Sequence, residues 1–77
     1  MTTILMQFEL ICGDGHTTDG DMINPRPLAQ FWVEDEGQAR SIGAEITKAR
    51  GFAAFEVVAE KVGCLVEIDG EAMLAEF

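Results

Sequence analysis

Basic residues are scarce in this 77-residue chain, which carries five Lys and Arg against 14 Asp and Glu and has a formal net charge of −9. Contacts to phosphate groups, on nucleic acids and on anionic membranes alike, depend on clustered Lys and Arg. We therefore expect no direct nucleic-acid ligand and no membrane contact. A basic protein surface is the partner that this charge favours.

Long apolar runs are missing as well. The run Ile4-Leu5-Met6 has only three residues, and the first basic residue is Arg26. A signal peptide needs a basic start before a longer apolar stretch, and a membrane helix needs about 20 apolar residues. The pattern predicts neither segment, and we expect a cytoplasmic protein.

Cysteine is limited to Cys12 and Cys64. Small domains that depend on disulfides usually carry four or more cysteines and are secreted. Unpaired cysteine is among the residue types that are most often buried. We therefore expect both thiols to be reduced and to lie in the core.

Motifs for catalysis are weak. His16 is the one histidine, and Cys12 is the nucleophile nearest to it in the sequence. A Cys-His pair needs both side chains within hydrogen-bond reach, whereas the pattern directs Cys12 to the core and His16 into a loop. The stretch 13–18 begins like a glycine-rich phosphate loop but lacks the later glycine and lysine. We predict no catalytic residue, and we predict that the protein is not an enzyme.

Metal motifs are incomplete too. Asp14, Asp19 and Asp21 suggest a calcium loop, but an EF-hand that begins at Asp19 needs a ligand where Ile23 stands. Zinc would require both cysteines, the histidine and a fourth ligand, without any Cys-x-x-Cys spacing. We expect no resident metal and no cofactor. A loosely bound cation in the acidic loop is left open as an alternative.

Apolar residues make up 48% of the chain and are spread along its whole length. That fraction is typical of a folded protein rather than a disordered one. A chain of this size has material for one core only. We therefore predict a single domain over residues 1–77.

Strict alternation of apolar and polar residues predicts a strand over 3–12, with Phe8 and Leu10 on the face that points to the core. A second strand is predicted over 28–34. The intervening loop, 13–27, is rich in Gly, Asp, Asn and Pro, which are turn-forming residues. A short pairing around Met22-Ile23 is left open within it.

A helix is predicted over 36–50. Asp35 is its N-cap, Gln38 is the capping-box partner, and Gly51 ends it after the basic residues of the last turn. Apolar residues recur at helical spacing and predict the following buried stripe. The stripe consists of Ala39, Ile42, Gly43, Ile46 and Ala49.

The last part of the chain is predicted to form strands over 53–61, 64–68 and 71–77, with turns at Val62-Gly63 and Asp69-Gly70. A short helix over 72–77 is the competing interpretation of the last segment. The predicted fold is α+β, with an antiparallel four- to five-stranded sheet and one helix packed on one face. Its element order is β-β-α-β-β-β.

Acidic residues concentrate outside the helix, because residues 36–50 have a net charge of +1 and the rest of the chain has −10. The alternation predicts that the sheet face away from the helix carries carboxylates around apolar side chains, with no basic residue. Like charges on neighbouring strands destabilise a sheet, and Trp is enriched in binding hot spots. These are the predicted partner-binding residues: Glu9, Trp32, Glu34, Glu56, Glu60, Glu67 and Asp69. An ordinary solvated acidic face, with Trp32 partly covered, is the alternative.

The stretch 32–77 resembles in layout the C-terminal half of small anti-CRISPR proteins that inhibit type I surveillance complexes. The shared features are an acidic strand end, a helix that opens with Gln38-Ala39-Arg40, and a compact meander with two Gly-containing turns. The resemblance implies a stoichiometric inhibitor from a phage or mobile element. Its partner would be a CRISPR effector subunit whose nucleic-acid-binding surface it occupies.

Mimicry of DNA agrees with the acidic face, because fixed carboxylates can fill a channel that is lined with Lys and Arg and made for phosphates. A regulatory or antitoxin-like interaction module is the alternative function, and a small enzyme is the least favoured. We expect a monomer or a weak homodimer.

The charge distribution predicts that the purified protein binds neither duplex nor single-stranded DNA at near-physiological salt. An electrophoretic mobility shift assay should show free DNA at micromolar protein. A retarded band under these conditions would contradict the charge argument.

Overall fold

Four strands and one helix make up the fold in the computed structural model, which describes residues 2–77. The strands form one antiparallel sheet in the order β2-β1-β3-β4. The protein is therefore α+β, as expected. The elements are β1 (Thr2–Gly13), β2 (Arg26–Val33), α1 (Glu36–Arg50), β3 (Ala54–Ile68) and β4 (Glu71–Glu76).

The prediction of a turn at Val62-Gly63 is wrong, because β3 runs without a break from Ala54 to Ile68. The two strands predicted over 53–61 and 64–68 are one, so the element order is β-β-α-β-β. Pairing with β1 explains the difference, since it continues through these residues and places Gly63 opposite Leu5. The long ladder outweighs the local turn preference of glycine.

Residue 60 marks an irregularity inside β3. Gln7 of β1 pairs with Lys61 and Phe8 pairs with Ala59, so Glu60 has no partner in β1. One extra residue on one strand is a β-bulge, and it reverses the alternation of side chains beyond it.

The C-terminal hairpin forms as predicted. Asp69 and Gly70 both have positive φ, 51° and 82°, as a two-residue type I′ turn requires. The segment after the turn is the strand β4, and the alternative of a short helix over 72–77 is wrong.

The boundaries and caps of α1 confirm the prediction. The carboxylate of Asp35 accepts a hydrogen bond of 2.8 Å from the Gln38 backbone N–H, and the Gln38 side chain accepts one of 2.9 Å from the Glu34 N–H. Gly51 ends the helix with φ of 76°, in the left-handed region. Local signals therefore determine both ends of α1.

The buried stripe of α1 differs from the prediction. Ile42 is 37% exposed and Ala49 is exposed, whereas Ala39, Gly43 and Thr47 are buried. These three residues are small, and they lie at i, i+4 and i+8. The stripe is narrow because the helix packs closely against the sheet, as its central glycine shows.

Gly43 determines how closely α1 approaches the sheet. A Cβ atom at this position would lie 3.1 Å from Leu10 Cδ1 and 3.2 Å from both Phe55 Cε2 and Val57 Cγ1. Those distances are shorter than ordinary van der Waals contacts, so a larger residue would force the layers apart.

The polar side chain in this interface is satisfied. The Thr47 hydroxyl donates a hydrogen bond of 2.6 Å to the Gly43 carbonyl, and its oxygen lies 3.4 Å from Cys12 Sγ. Both cysteines are free and buried, which confirms that prediction.

The sheet is much longer than the helix that covers it. Fifteen residues give α1 a length of about 22 Å, whereas the same number gives β3 about 50 Å. The overall dimensions are 51 × 23 × 18 Å. Beyond α1, the sheet leaves Ile4 and Ile68 each 53% exposed and Met73 57% exposed.

The close approach at Gly43 leads to a prediction about stability. Gly43→Val should lower the free energy of unfolding by about 1–3 kcal/mol through overpacking, although valine favours the helix more than glycine does. Urea denaturation measures this change. The exposed neighbour gives the control, since Ala44→Val should cost less than about 0.7 kcal/mol. Equal losses in the two variants would contradict the close packing.

Candidate partner-binding surface

The face of the sheet that points away from α1 is called the outer face here. Phe8 and Leu10 point to the helix side, so the alternate residues of β1 lie on the outer face. Residues that pair directly across strands share a face. Glu9 pairs with Val58 and Ile11 pairs with Glu56, which places both glutamates on the outer face.

Four of the seven predicted binding residues share this face. Glu67 lies there because it is two residues along β3 from Leu65, the partner of Thr3, and Trp32 lies there because it pairs with Gln7. The other three are elsewhere. Glu34 is in the bend after β2, Glu60 is the bulge residue, and Asp69 is in the turn between β3 and β4.

The prediction that this face carries no basic residue is wrong. Lys61 pairs with Gln7 and therefore lies on the outer face, 3.5 Å from the carboxylate of Glu76. The bulge at Glu60 is the reason, since uninterrupted alternation from Glu56 would direct Lys61 to the helix side. The sequence contains no local signal for that bulge.

Carboxylates on the outer face form a long row rather than a cluster. Glu56 and Glu67 are 11 residues apart on one strand, which corresponds to about 36 Å. Glu9 lies near one end and accepts a hydrogen bond of 3.4 Å from the Gln30 side chain. The row therefore follows the long axis of the molecule.

Trp32 is the largest side chain of the outer face, and it is half-buried. Its ring extends across β1 to Gly63 of β3, where a Cβ atom would lie 3.1 Å from Cζ3 and 3.3 Å from Cη2. That Cβ would also lie 2.7 Å from the Ala75 carbonyl oxygen. Gly63 therefore provides the surface on which the indole rests, and the Trp32 side chain as a whole remains partly exposed.

The acidic loop between β1 and β2 is held by its own contacts. Asp14 accepts hydrogen bonds of 3.0 Å from Asn24 and 3.1 Å from Arg26, and the Arg26 guanidinium lies 5.0 Å from the Phe52 ring centroid. A bridge between His16 and Met22 confirms the short pairing that was left open. Asp14 is thus engaged by the positive charge of Arg26.

Within residues 2–77, the side chains that were considered for catalysis or metal binding do not lie close together. The Cys12 thiol is fully buried beside Thr47, whereas His16 is exposed in the loop. Within that range, no group of three His, Cys, Asp or Glu side chains has the geometry to hold a metal ion.

A cavity of about 350 Å³ between α1 and β3 was missed by the sequence reasoning. It is lined by Arg40 of the helix and by Phe55, Glu56 and Val57 of β3. The cavity lies along the part of β3 that β4 does not reach, because β4 pairs only with the last six residues of β3. No local pattern in the sequence shows where that pairing stops.

Comparisons with protein-family models, with curated proteins and with solved structures find no match for this chain. No helix in residues 2–77 has the length and apolar character that crossing a membrane requires.

The contact between the Trp32 indole and Gly63 leads to a prediction. Gly63→Ala should displace the indole and the neighbouring β4 carbonyl, because the added methyl meets both. We expect a lower Tm and a red shift in the emission of this single tryptophan. Ala59→Val, on the helix side of the same strand, is the control and should leave the emission unchanged. An unshifted spectrum for Gly63→Ala would contradict the described contact.

Proposed function

We propose that this protein is a small acidic inhibitor that binds a basic, nucleic-acid-binding surface of an effector complex. The observation that carries the proposal is the row of carboxylates along the outer face. Four carboxylates lie on this face, those of Glu9, Glu56, Glu67 and Glu76, and they extend over about 36 Å of β3. A channel lined with Lys and Arg and made for phosphates would attract such an extended acidic face.

The distribution of basic residues favours binding of the partner to one side of the protein, the outer face. The one lysine of the outer face, Lys61, is engaged by Glu76, and three of the five basic residues lie on α1. A partner lined with Lys and Arg would therefore meet the outer face in preference to the helix. Such complementarity speeds association and fixes orientation more than it adds affinity.

Apolar side chains between the carboxylates would supply the part of the binding free energy that does not depend on salt. Val58 and Leu65 are each 37% exposed on the outer face, and Trp32 is partly exposed there. Aromatic side chains held rigidly at the centre of an interface are typical hot spots. We propose Trp32 as that anchor, with Glu9, Glu56 and Glu67 as the surrounding charges.

The layout that resembles type I anti-CRISPR proteins makes a CRISPR effector complex the first partner to test. In that role the protein acts by occupancy in the cytoplasm, without catalysis and without a cofactor. Glu34, Glu60 and Asp69 lie outside the paired rows of the sheet and would contact the rim of the partner.

A regulatory or antitoxin-like module is the second candidate. The part of the sheet beyond α1 carries exposed apolar side chains, including Ile4, Ile68 and Met73. Apolar surface of this kind often marks an interaction site. This candidate predicts a cognate partner protein rather than a nucleic-acid channel.

The test reverses three exposed charges of β3 in one variant, Glu56→Lys, Glu60→Lys and Glu67→Lys. In a displacement assay with a type I surveillance complex and labelled target DNA, inhibition should weaken at least about tenfold, equivalent to about 1.4 kcal/mol. Association of the unmodified protein should slow steeply as salt rises. Trp32→Ala should instead accelerate dissociation, with little dependence on salt.

The matched control reverses charge on the helix, with Arg40→Glu and Lys48→Glu. This variant should inhibit as well as the unmodified protein. If the helix variant loses inhibition and the β3 variant keeps it, the outer face is not the binding surface. If neither the unmodified protein nor the helix variant displaces DNA, the inhibitor proposal fails for this complex.

A further inference from the structure

We propose that the open edge of β4 is a second docking site, which takes an extended segment of a partner protein as an added strand. The segment would have an apolar centre and a basic residue at each end. This site is separate from the outer face, and the inference does not depend on the proposed inhibitor function. It rests on the contrast between the two edges of the sheet.

The β2 edge has features that prevent strand addition. Pro27 has no backbone N–H to offer, and Pro25 precedes the strand. Pairing with β1 shifts between Leu10 and Ile11, which leaves Leu28 as the extra residue of a bulge. Charges, prolines and bulges are the devices by which natural sheets keep an edge from pairing.

The β4 edge has neither a proline nor a bulge, and its charges are confined to its two ends. Its sequence, EAMLAE, contains no proline and no basic residue, and its pairing with β3 has no shift in register. Met73 is 57% exposed on one face and Leu74 is 42% exposed on the other. The free stretch of β3 itself is different, because the bulge at Glu60 and the charge of Lys61 interrupt it.

One hydrogen bond shows which backbone N–H groups of β4 point to the open edge. The Phe77 N–H donates to the Val62 carbonyl at 2.9 Å, in the same register as the ladder between β3 and β4. Hydrogen-bonded pairs alternate along an antiparallel ladder, so Met73 and Ala75 also direct their N–H groups to β3. The N–H groups that point to the open edge are those of Ala72, Leu74 and Glu76.

The charges on β4 select the occupant. Glu71 lies on the helix side at one end of the strand, and Glu76, which also contacts Lys61 at 3.5 Å, lies on the outer face at the other end. Between them the side chains are apolar. An added antiparallel strand therefore finds an apolar centre and one carboxylate near each end, where Lys or Arg would be favourable.

A second copy of the chain fits this edge poorly. Each copy brings a net charge of −9, so long-range repulsion opposes the association of two copies.

The test uses a capped hexapeptide with lysine at both ends and alternating threonine and valine between them. Amide hydrogen exchange of the protein is followed by NMR while the peptide is added. Exchange at Ala72, Leu74 and Glu76 should slow about tenfold when the peptide is at ten times its dissociation constant. The amides of Met73 and Ala75 already bond to β3 and should change little, which provides an internal control.

Two further arms make the result specific. The same peptide with N-methyl groups on alternate residues, which block one hydrogen-bonding edge, should give no protection. Leu74→Pro should abolish protection as well, because it removes an outward N–H without taking a bond from β3. If that variant does not fold, the methylated peptide still decides the question.

Three results would overturn the proposal. The first is unchanged exchange at the outward amides at millimolar peptide, and the second is equal protection by a peptide with glutamate at both ends. The third is a dimer in sedimentation whose outward β4 amides are protected without peptide, since a second copy then fills the edge. The Glu56→Lys and Glu67→Lys changes should leave peptide protection intact, which separates this site from the outer face.

Discussion

The antiparallel ladder between β1 and β3 is the interaction on which the rest of the structure depends. It pairs β1 along its whole length, from Thr2 to Gly13, with residues 54–66. Both outer strands attach to this pair, β2 to one side and β4 to the other. It also sets the long dimension of the molecule, because two strands of this length cannot be covered by a helix of four turns.

One bulge within that ladder determines the composition of both faces. Before Glu60, alternation places Val57 on the helix side, and beyond it the phase reverses so that Lys61 joins the outer face. One carboxylate of the outer face, that of Glu76, is therefore paired with a lysine, whereas the sequence predicted no basic residue on this face. Specificity for a basic partner would come from the whole row and its length, with Trp32 held in place by Gly63.

Local signals predicted the parts of the fold that depend on neighbouring residues. The cap at Asp35, the stop at Gly51 and the Asp69-Gly70 turn act within a few residues, and each is observed. Features that depend on distant contacts were missed. Gly63 was interpreted as part of a turn, whereas it is the residue on which Trp32, 31 positions away, packs. Gly43 is explained by its contacts with side chains of two different strands. The face of the sheet was predicted correctly for Glu9, Trp32, Glu56 and Glu67, which lie on regular strands, and not for the residues at the bulge and in the turns.

The order of the strands in the sheet has a consequence for how the chain folds. β1 is made first, but one of its two neighbours in the sheet, β3, begins more than 50 residues later, so the longest ladder of the sheet forms through non-local pairing. Closing such long loops before any contact compensates for the lost entropy slows folding. Until β3 has been synthesised, the β1–β2 hairpin is the one part of the sheet that can form. The nascent protein is therefore exposed to aggregation until β3 has been translated.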